Sequence, residues 1–493
     1  HSILRKGLSE EERQKPIPSI ERRLAAEKPH GWAEMFFDKT CWSRKLGSYH
    51  NCDGEKQSYL HPTSHEIWAE YQTAAGKTAA GDATTGAAKG VGKQCQWQLL
   101  EAGSDQLIGE PMARPCDERV NFTVPYPQGA RLAVATDEGQ KFIQTIKVED
   151  VFIVGIGDSF GSGDGNPDVP VRFSSQRSVI YGGKGKGDQV KRAYPTRAGD
   201  WREVADAEFM KRKALWLGQS CHRSLYSHQI RASLELALSN PQRAVTFVGF
   251  ACAGAEITHG MFLRFKGNEW SLSPPRLSQI SAVAKAQCGT NVPKPTIYSR
   301  AFGVDGKLDI LHDLTVLKCD RERARKIDLL MVSIGGNDVS FSSLVANVVV
   351  KNTINLKTIG GWMGAILNSD QASYRTSELK LRYKALRRAF HNVLQIPWKE
   401  ADRILLTAYP NMTFRDKGQK VCDNGSLGMT VSPVFSLAAD KAGRAEKFAN
   451  RLNRMMKRVA RDYKWTFVDE HREAFTSHGI CARNEERLGS LAE

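Results

Sequence analysis

The sequence predicts an α/β protein: a three-layer, doubly wound parallel sheet preceded by a small β-sandwich-like domain. Three observations carry this. Continuous apolar runs recur from residue 151 onward, at Val151–Ile156, Ala244–Val248, Ile327–Ser333, Arg403–Thr407 and Trp465–Val468, as expected of strands covered on both faces. Between them lie Ser227–Leu238, Ser377–Ile396 and Lys441–Tyr463, whose apolar residues recur at three and four. Upstream, residues 94 to 150 alternate with period two between Pro and Gly turns, the pattern of half-buried antiparallel strands.

The chain has 493 residues, enough for more than one core, since single cores stop growing at about 250 to 300 residues. Hydrophobic residues make up 41 % and charged residues 25 %. No run reaches the roughly 18 apolar residues of a membrane-spanning helix, so no transmembrane segment is expected. The formal net charge of +16 attracts anionic surfaces in general. Its basic residues fall partly in 184–213 and partly in 444–464, segments that also carry acids, rather than in one arm interleaved with aromatics, so no specific nucleic-acid partner is expected.

Residues 1–72 read as a charged, partly irregular N-terminal extension. An Ala, Gly and Thr-rich stretch at 73–85 then marks a boundary. Residues 73–146 form the small β-rich domain, with strands at 96–100, 120–124 and 130–135. Residues 147–493 form the α/β domain, with an apolar insertion at about 342–372 that contains Leu344–Val350 and Trp362–Leu367.

Ten cysteines stand singly at Cys41, Cys52, Cys95, Cys116, Cys221, Cys252, Cys288, Cys319, Cys422 and Cys481. Zinc ribbons and dithiol redox sites need close pairs, whereas isolated cysteines suit disulfides in an oxidising compartment. The chain begins His1-Ser2, read as a secreted or periplasmic product whose signal peptide is already removed.

Open α/β sheets carry their reactive groups beyond the carboxyl ends of the strands. Here those ends read Gly157-Asp158-Ser159-Phe160-Gly161, Ala251-Cys252-Ala253-Gly254-Ala255 and Gly335-Gly336-Asn337-Asp338. The last strand leads into Asp469-Glu470-His471 and then Phe475-Thr476-Ser477-His478-Gly479-Ile480-Cys481. A serine in a Gly-flanked turn offers a nucleophile and a backbone donor. Gly254 offers a second backbone N–H, Asn337 a side-chain donor, and His478 or His471 a base. The Gly-x-Ser-x-Gly reading as an α/β-hydrolase elbow fails on context, because no parallel strand precedes the one leading into Ser159. The acidic stretch Asp164–Asp168 lacks the glycine of a calcium loop, since Val169 follows.

Those blocks, in that order, resemble the SGNH hydrolases, also called GDSL esterases and lipases. The resemblance covers about residues 150–493. Gly157–Asp168, Cys221-His222-Arg223-Ser224, Ala251–Ala255 and Phe475–Cys481 are similar to its disulfide-containing secreted bacterial branch. It implies an SGNH, flavodoxin-like fold and a serine mechanism with no cofactor and no metal. Ser159 would be the nucleophile, Ser159, Gly254 and Asn337 the oxyanion hole, and His478 the base, with His471 as alternative. The usual acid three residues before the histidine is missing, Phe475 standing there; Asp469, Glu473 or a backbone carbonyl would orient the imidazole instead. Pairings nearest in sequence are Cys95 with Cys116, Cys221 with Cys252 and Cys288 with Cys319, while a Cys422–Cys481 bridge would hold the histidine loop. The expected activity is hydrolysis of lipid or other acyl esters. The alternatives are a polysaccharide O-acetylesterase acting on acylated glycan, and an inactive SGNH-fold binding protein.

Overall fold

The computed structural model describes residues 60–71, 93–169, 214–240, 242–269, 274–298, 314–340, 369–411 and 439–477, with a few shorter pieces elsewhere. By contact the chain divides into two units, one of Glu55–Asp150 with Asn240–Ala244 and one of the remainder.

In the smaller unit, β1 (Ser64–Ala69) pairs antiparallel with β4 (Val120–Pro125). A second antiparallel sheet has the order β3 (Met112–Pro115), β2 (Gln94–Glu101), β5 (Ala130–Thr136), β6 (Lys141–Ile146). Strict alternation sends Cys95, Trp97 and Leu99 of β2, Phe122 and Val124 of β4, and Leu132 and Val134 of β5 into one apolar cluster, the interior expected of two facing sheets. A disulfide between Cys95 and Cys116 lies within it. Strand β1 falls in the stretch read from composition as irregular extension. Its apolar face has only Ile67 and Ala69, too short a pattern to stand out.

The larger unit is built on a five-stranded sheet. Its strands, in order across the sheet, are β8 (Arg243–Gly249), β7 (Glu149–Gly157), β11 (Leu329–Ser333), β12 (Ile404–Thr407) and β13 (Thr466–Val468). Neighbours run parallel, with Val154 opposite Leu330, Leu330 opposite Ile404 and Leu406 opposite Phe467. The chain thus enters at β7, steps one way to β8, then returns past β7 to β11 and on to the far edge. This is the doubly wound parallel architecture the apolar runs predict. Between β8 and β11 an antiparallel hairpin, β9 (Lys294–Tyr298) with β10 (Leu314–Lys318), stands apart from the main sheet.

Among the described residues the helices include α1 (Ser159–Ser162), α2 (His228–Ser239), α3 (Gln279–Cys288), α4 (Ser369–Asn392), α5 (Ala439–Tyr463) and α6 (His471–Ala474). Right-handed crossovers place α2 on one face of the sheet and α3, α4 and α5 on the other, giving three layers. Gln229 of α2 donates to Ile156 O at 3.1 Å, while Gln279 of α3 clamps Gly157 through both its amide atoms at 2.8 Å. The end of β7 is therefore pinned from both sides. Helix α4 begins earlier than its apolar periodicity suggested, since Ser369–Arg375 is polar. Disulfides join Cys221 to Cys252 and Cys288 to Cys319. Cys41, Cys52, Cys422 and Cys481 lie outside the described residues, as does most of the 342–372 insertion.

Candidate active site

In a sheet of this order the strand direction of winding reverses between β7 and β11, which opens a crevice beyond their carboxyl ends. The turn after β7 begins at Gly157, φ 147°, where a Cβ would sit 2.2 Å from Ser333 O. Only glycine lets the two strand ends approach so closely. Asp158 N then donates to Ser333 O at 2.8 Å, and the Asp158 carboxylate caps α1 by accepting from Phe160 N at 3.1 Å. Ser159 follows as the first residue of α1.

Three strand-end turns meet around this serine. The turn after β8 is tied in by Cys252 N donating to Gly157 O at 3.0 Å, and by the Cys221–Cys252 bridge, beside which Ala253 N donates to Cys221 O. Gly254 has φ +85°, and a Cβ there would lie 2.4 Å from Asn268 Oδ1. The turn after β11 supplies Asn337, whose Nδ2 donates to Ala255 O at 2.9 Å. Asp338 accepts from Ile257 N at 3.1 Å and pairs with Arg382 of α4. Within these turns Asp158, Ala253, Ala255, Gly336 and Asp338 are buried, whereas Ser159, Gly254 and Asn337 are each partly exposed. Ser159, Gly254 and Asn337, the residues able to hold a substrate oxygen, are thus among those that reach solvent.

A buried chain of hydrogen bonds supports this surface from below. Tyr409, just past β12, donates its hydroxyl proton to Asp158 and accepts from Gly336 N at 2.7 Å. Its backbone is held in turn by both amide atoms of Asn453 at 2.9 Å. Burial pushes the Asp158 carboxyl up to about 7, although the Tyr409 hydroxyl and Phe160 N–H oppose the shift. Burial likewise raises Asp338, with Arg382 acting the other way. Neither Tyr409 nor Arg382 stands out in the sequence reading. The strand-end rule, applied to the Arg403–Thr407 run, leads directly to Ala408-Tyr409-Pro410.

The structure separates the histidines. His478 lies outside the described residues. The His471 ring stands 5.8 Å from that of Phe160, the residue after Ser159, and its Nε2–H donates to Ala408 O at 2.9 Å. That bond leaves Nδ1 as its basic atom, and burial holds its pKa below the usual value. His228 of α2 also packs against the Phe160 ring, at 4.7 Å, with burial holding it down at about 4. Asp469 accepts from Lys457 Nζ at 2.9 Å. Glu473 sits in α6, where its carbonyl accepts from Thr476.

His222 lies beside the crevice with both ring nitrogens bonded, Nδ1 to Asp164 and Nε2 to Glu269 at 3.1 Å, beneath the Trp216 ring at 4.0 Å. Burial alone would lower its pKa, but the two carboxylates outweigh burial and push it up to about 9. It is therefore an imidazolium at neutral pH and no general base. Because its folded-state value lies above its ordinary 6.5, this contribution to stability is complete below pH 6.5 and lost as pH rises through 9. The melting temperature is expected to fall over that interval, and His222→Gln to flatten the fall. An unchanged slope in the variant would place the pH dependence elsewhere.

No protein-family model and no curated protein matches the chain. Among solved structures, the phospholipase A1 from Streptomyces albidoflavus NA297 is similar at 15 % identity and TM-score 0.30, over 68 % of this chain and 84 % of that one. The extracellular lipase from Streptomyces rimosus is similar at 15 % identity and TM-score 0.31, over 68 % of this chain and 85 % of that one. Overlaps this loose leave the reading of the site to its own geometry.

Proposed function

We propose that the protein is a secreted serine ester hydrolase that cleaves carboxylic esters, of lipids or other acyl compounds, through an acyl-enzyme on Ser159. The observation that carries this reading is that Ser159, Gly254 and Asn337, each partly exposed, sit on three strand-end turns that hydrogen-bond to one another at one switch point. Such a frame costs no reorganisation as charge develops. Ser159 Oγ attacks the ester carbonyl and its proton passes to the imidazole of His478, which then protonates the departing alkoxide. The tetrahedral oxyanion is held by the N–H groups of Ser159 and Gly254 and by the Asn337 amide, whose bond to Ala255 O fixes its orientation. Water then attacks the acyl-enzyme and frees the acid. His471 is the second choice of base, supported by its position against Phe160 and its basic Nδ1.

The resemblance to SGNH hydrolases supports the same assignment. The described cysteines support export, being paired in three disulfides. Among the described residues no helix is long and apolar enough to cross a membrane. The apolar Leu344–Val350 and Trp362–Leu367 segments support a substrate with an acyl chain.

Asn337→Ala is expected to lower kcat by about 10²- to 10³-fold, the usual cost of one oxyanion donor, with KM little changed. Steady-state hydrolysis of a soluble p-nitrophenyl ester measures both. Near-normal kcat would remove Asn337 from the mechanism.

A further inference from the structure

Helix α5 carries its charge on one side. On α5 every exposed position from Arg444 to Arg461 is basic: Arg444, Lys447, Arg451, Arg454, Lys457, Arg458 and Arg461. Most of them follow the spacing three, four, three, four, which keeps them on one stripe of a helix. At roughly 1.5 Å rise per residue this stripe is about 25 Å long. The opposite face of the helix carries Phe448, Leu452, Met455, Met456 and Val459, all buried, so the stripe is held facing outward. Among the described residues, Asp469 pairs with Lys457, Asp462 with Arg461, and Glu446 accepts from Asn450.

Helix α4 packs beside α5, with the Arg387 guanidinium over the Tyr463 ring at 4.7 Å. Its exposed positions from 380 to 388 are Lys380, Leu381, Lys384 and Arg388. Two neighbouring helices of one layer thus present a broad cationic face with Leu381, 44 % exposed, set among the charges. The layer meets the candidate active site directly. Asn453 of α5 holds Tyr409, which holds Asp158, and Asn450 accepts from Arg472 of the α6 helix at 2.6 Å.

We propose that this α4–α5 face docks the protein on an anionic lipid surface, so that the hydrolase works at a membrane or lipid aggregate. The choice of lipid rests on the ester-hydrolase reading; the docking face itself does not. A flat array of charges matches a plane of headgroups, each Lys or Arg near such a surface contributing roughly fivefold in affinity. Binding of single-stranded nucleic acid instead uses aromatic platforms on which bases stack. Trp398, an exposed ring beside α4, is stacked on His391 at 3.7 Å and lies against Arg387 at 4.9 Å.

The test is co-sedimentation of the full chain with vesicles of phosphatidylcholine, alone or mixed with phosphatidylglycerol, at low and high salt. Binding is expected only to the mixed vesicles, to weaken with salt, and to fall by about tenfold or more in the triple variant Lys447→Glu, Arg454→Glu, Arg458→Glu. A control carrying Arg114→Glu, Lys141→Glu and Lys147→Glu, all exposed in the smaller unit, should bind nearly as the native chain does. Turnover of a soluble ester and circular dichroism report whether each variant is folded. Equal binding to neutral vesicles, unchanged binding of the α5 variant, or an equal loss in the control overturns the proposal. So does tighter binding of a duplex oligonucleotide than of mixed vesicles at the same salt. Vesicle binding without soluble ester turnover would refute the hydrolase reading and leave the docking face standing; turnover without vesicle binding would do the reverse.

Discussion

Ser159→Ala is expected to abolish turnover of p-nitrophenyl esters, lowering kcat by about 10⁴-fold or more, because no other group can then form the acyl-enzyme. The fold should be unaffected. Ser159 caps nothing with its side chain; the first turn of α1 is closed by Asp158, and the strand end is pinned by Gln279 and Ser333. Loss of activity with an unchanged melting temperature is therefore the expected pair of results. Residual turnover within tenfold of native would mean that the serine is a structural residue of the turn.

Arg382→Leu should be the most damaging single change to stability among those considered. Arg382 is buried against Asp338, which also accepts from Ile257 N. Removing one partner of a buried ion pair leaves an uncompensated charge and costs about 3 to 5 kcal/mol. Chemical denaturation monitored by circular dichroism measures this. The same change loosens the turn carrying Asn337, so kcat should fall too. A loss of stability below about 1 kcal/mol would show that Asp338 sits there protonated, with burial prevailing over the guanidinium.

The layered fold was legible because its strands are short apolar runs and its helices have clear three-and-four spacing. The order of strands across the sheet was not, since periodicity carries no information on neighbours. The antiparallel β9–β10 hairpin gives little signal for a related reason: Lys294-Pro295-Thr296-Ile297-Tyr298 leaves Ile297 exposed and buries little. At the site, Ser159, Gly254 and Asn337 could be found because each follows a run that ends in glycine-rich sequence. Tyr409 lies where the same strand-end rule points, whereas Arg382, Gln229 and Gln279 could not be found, because each acts across 44 to 122 residues of chain, and a buried polar side chain gives no local signal. His222 illustrates the converse. Its neighbourhood to the crevice could be guessed from Cys221-His222-Arg223-Ser224, but its two carboxylate partners, which make it a cation, come from Asp164 and Glu269.

The central claim is that Ser159 is a nucleophile activated by its surroundings. It is tested most directly by treating the native chain and Ser159→Ala with a fluorophosphonate probe under oxidising conditions and mapping the adduct by peptide mass spectrometry. One adduct on the peptide containing Ser159, absent from the variant, is the predicted result. No labelling of the native chain, or labelling at another residue that persists in Ser159→Ala, would contradict it and leave a binding protein on a hydrolase-like frame.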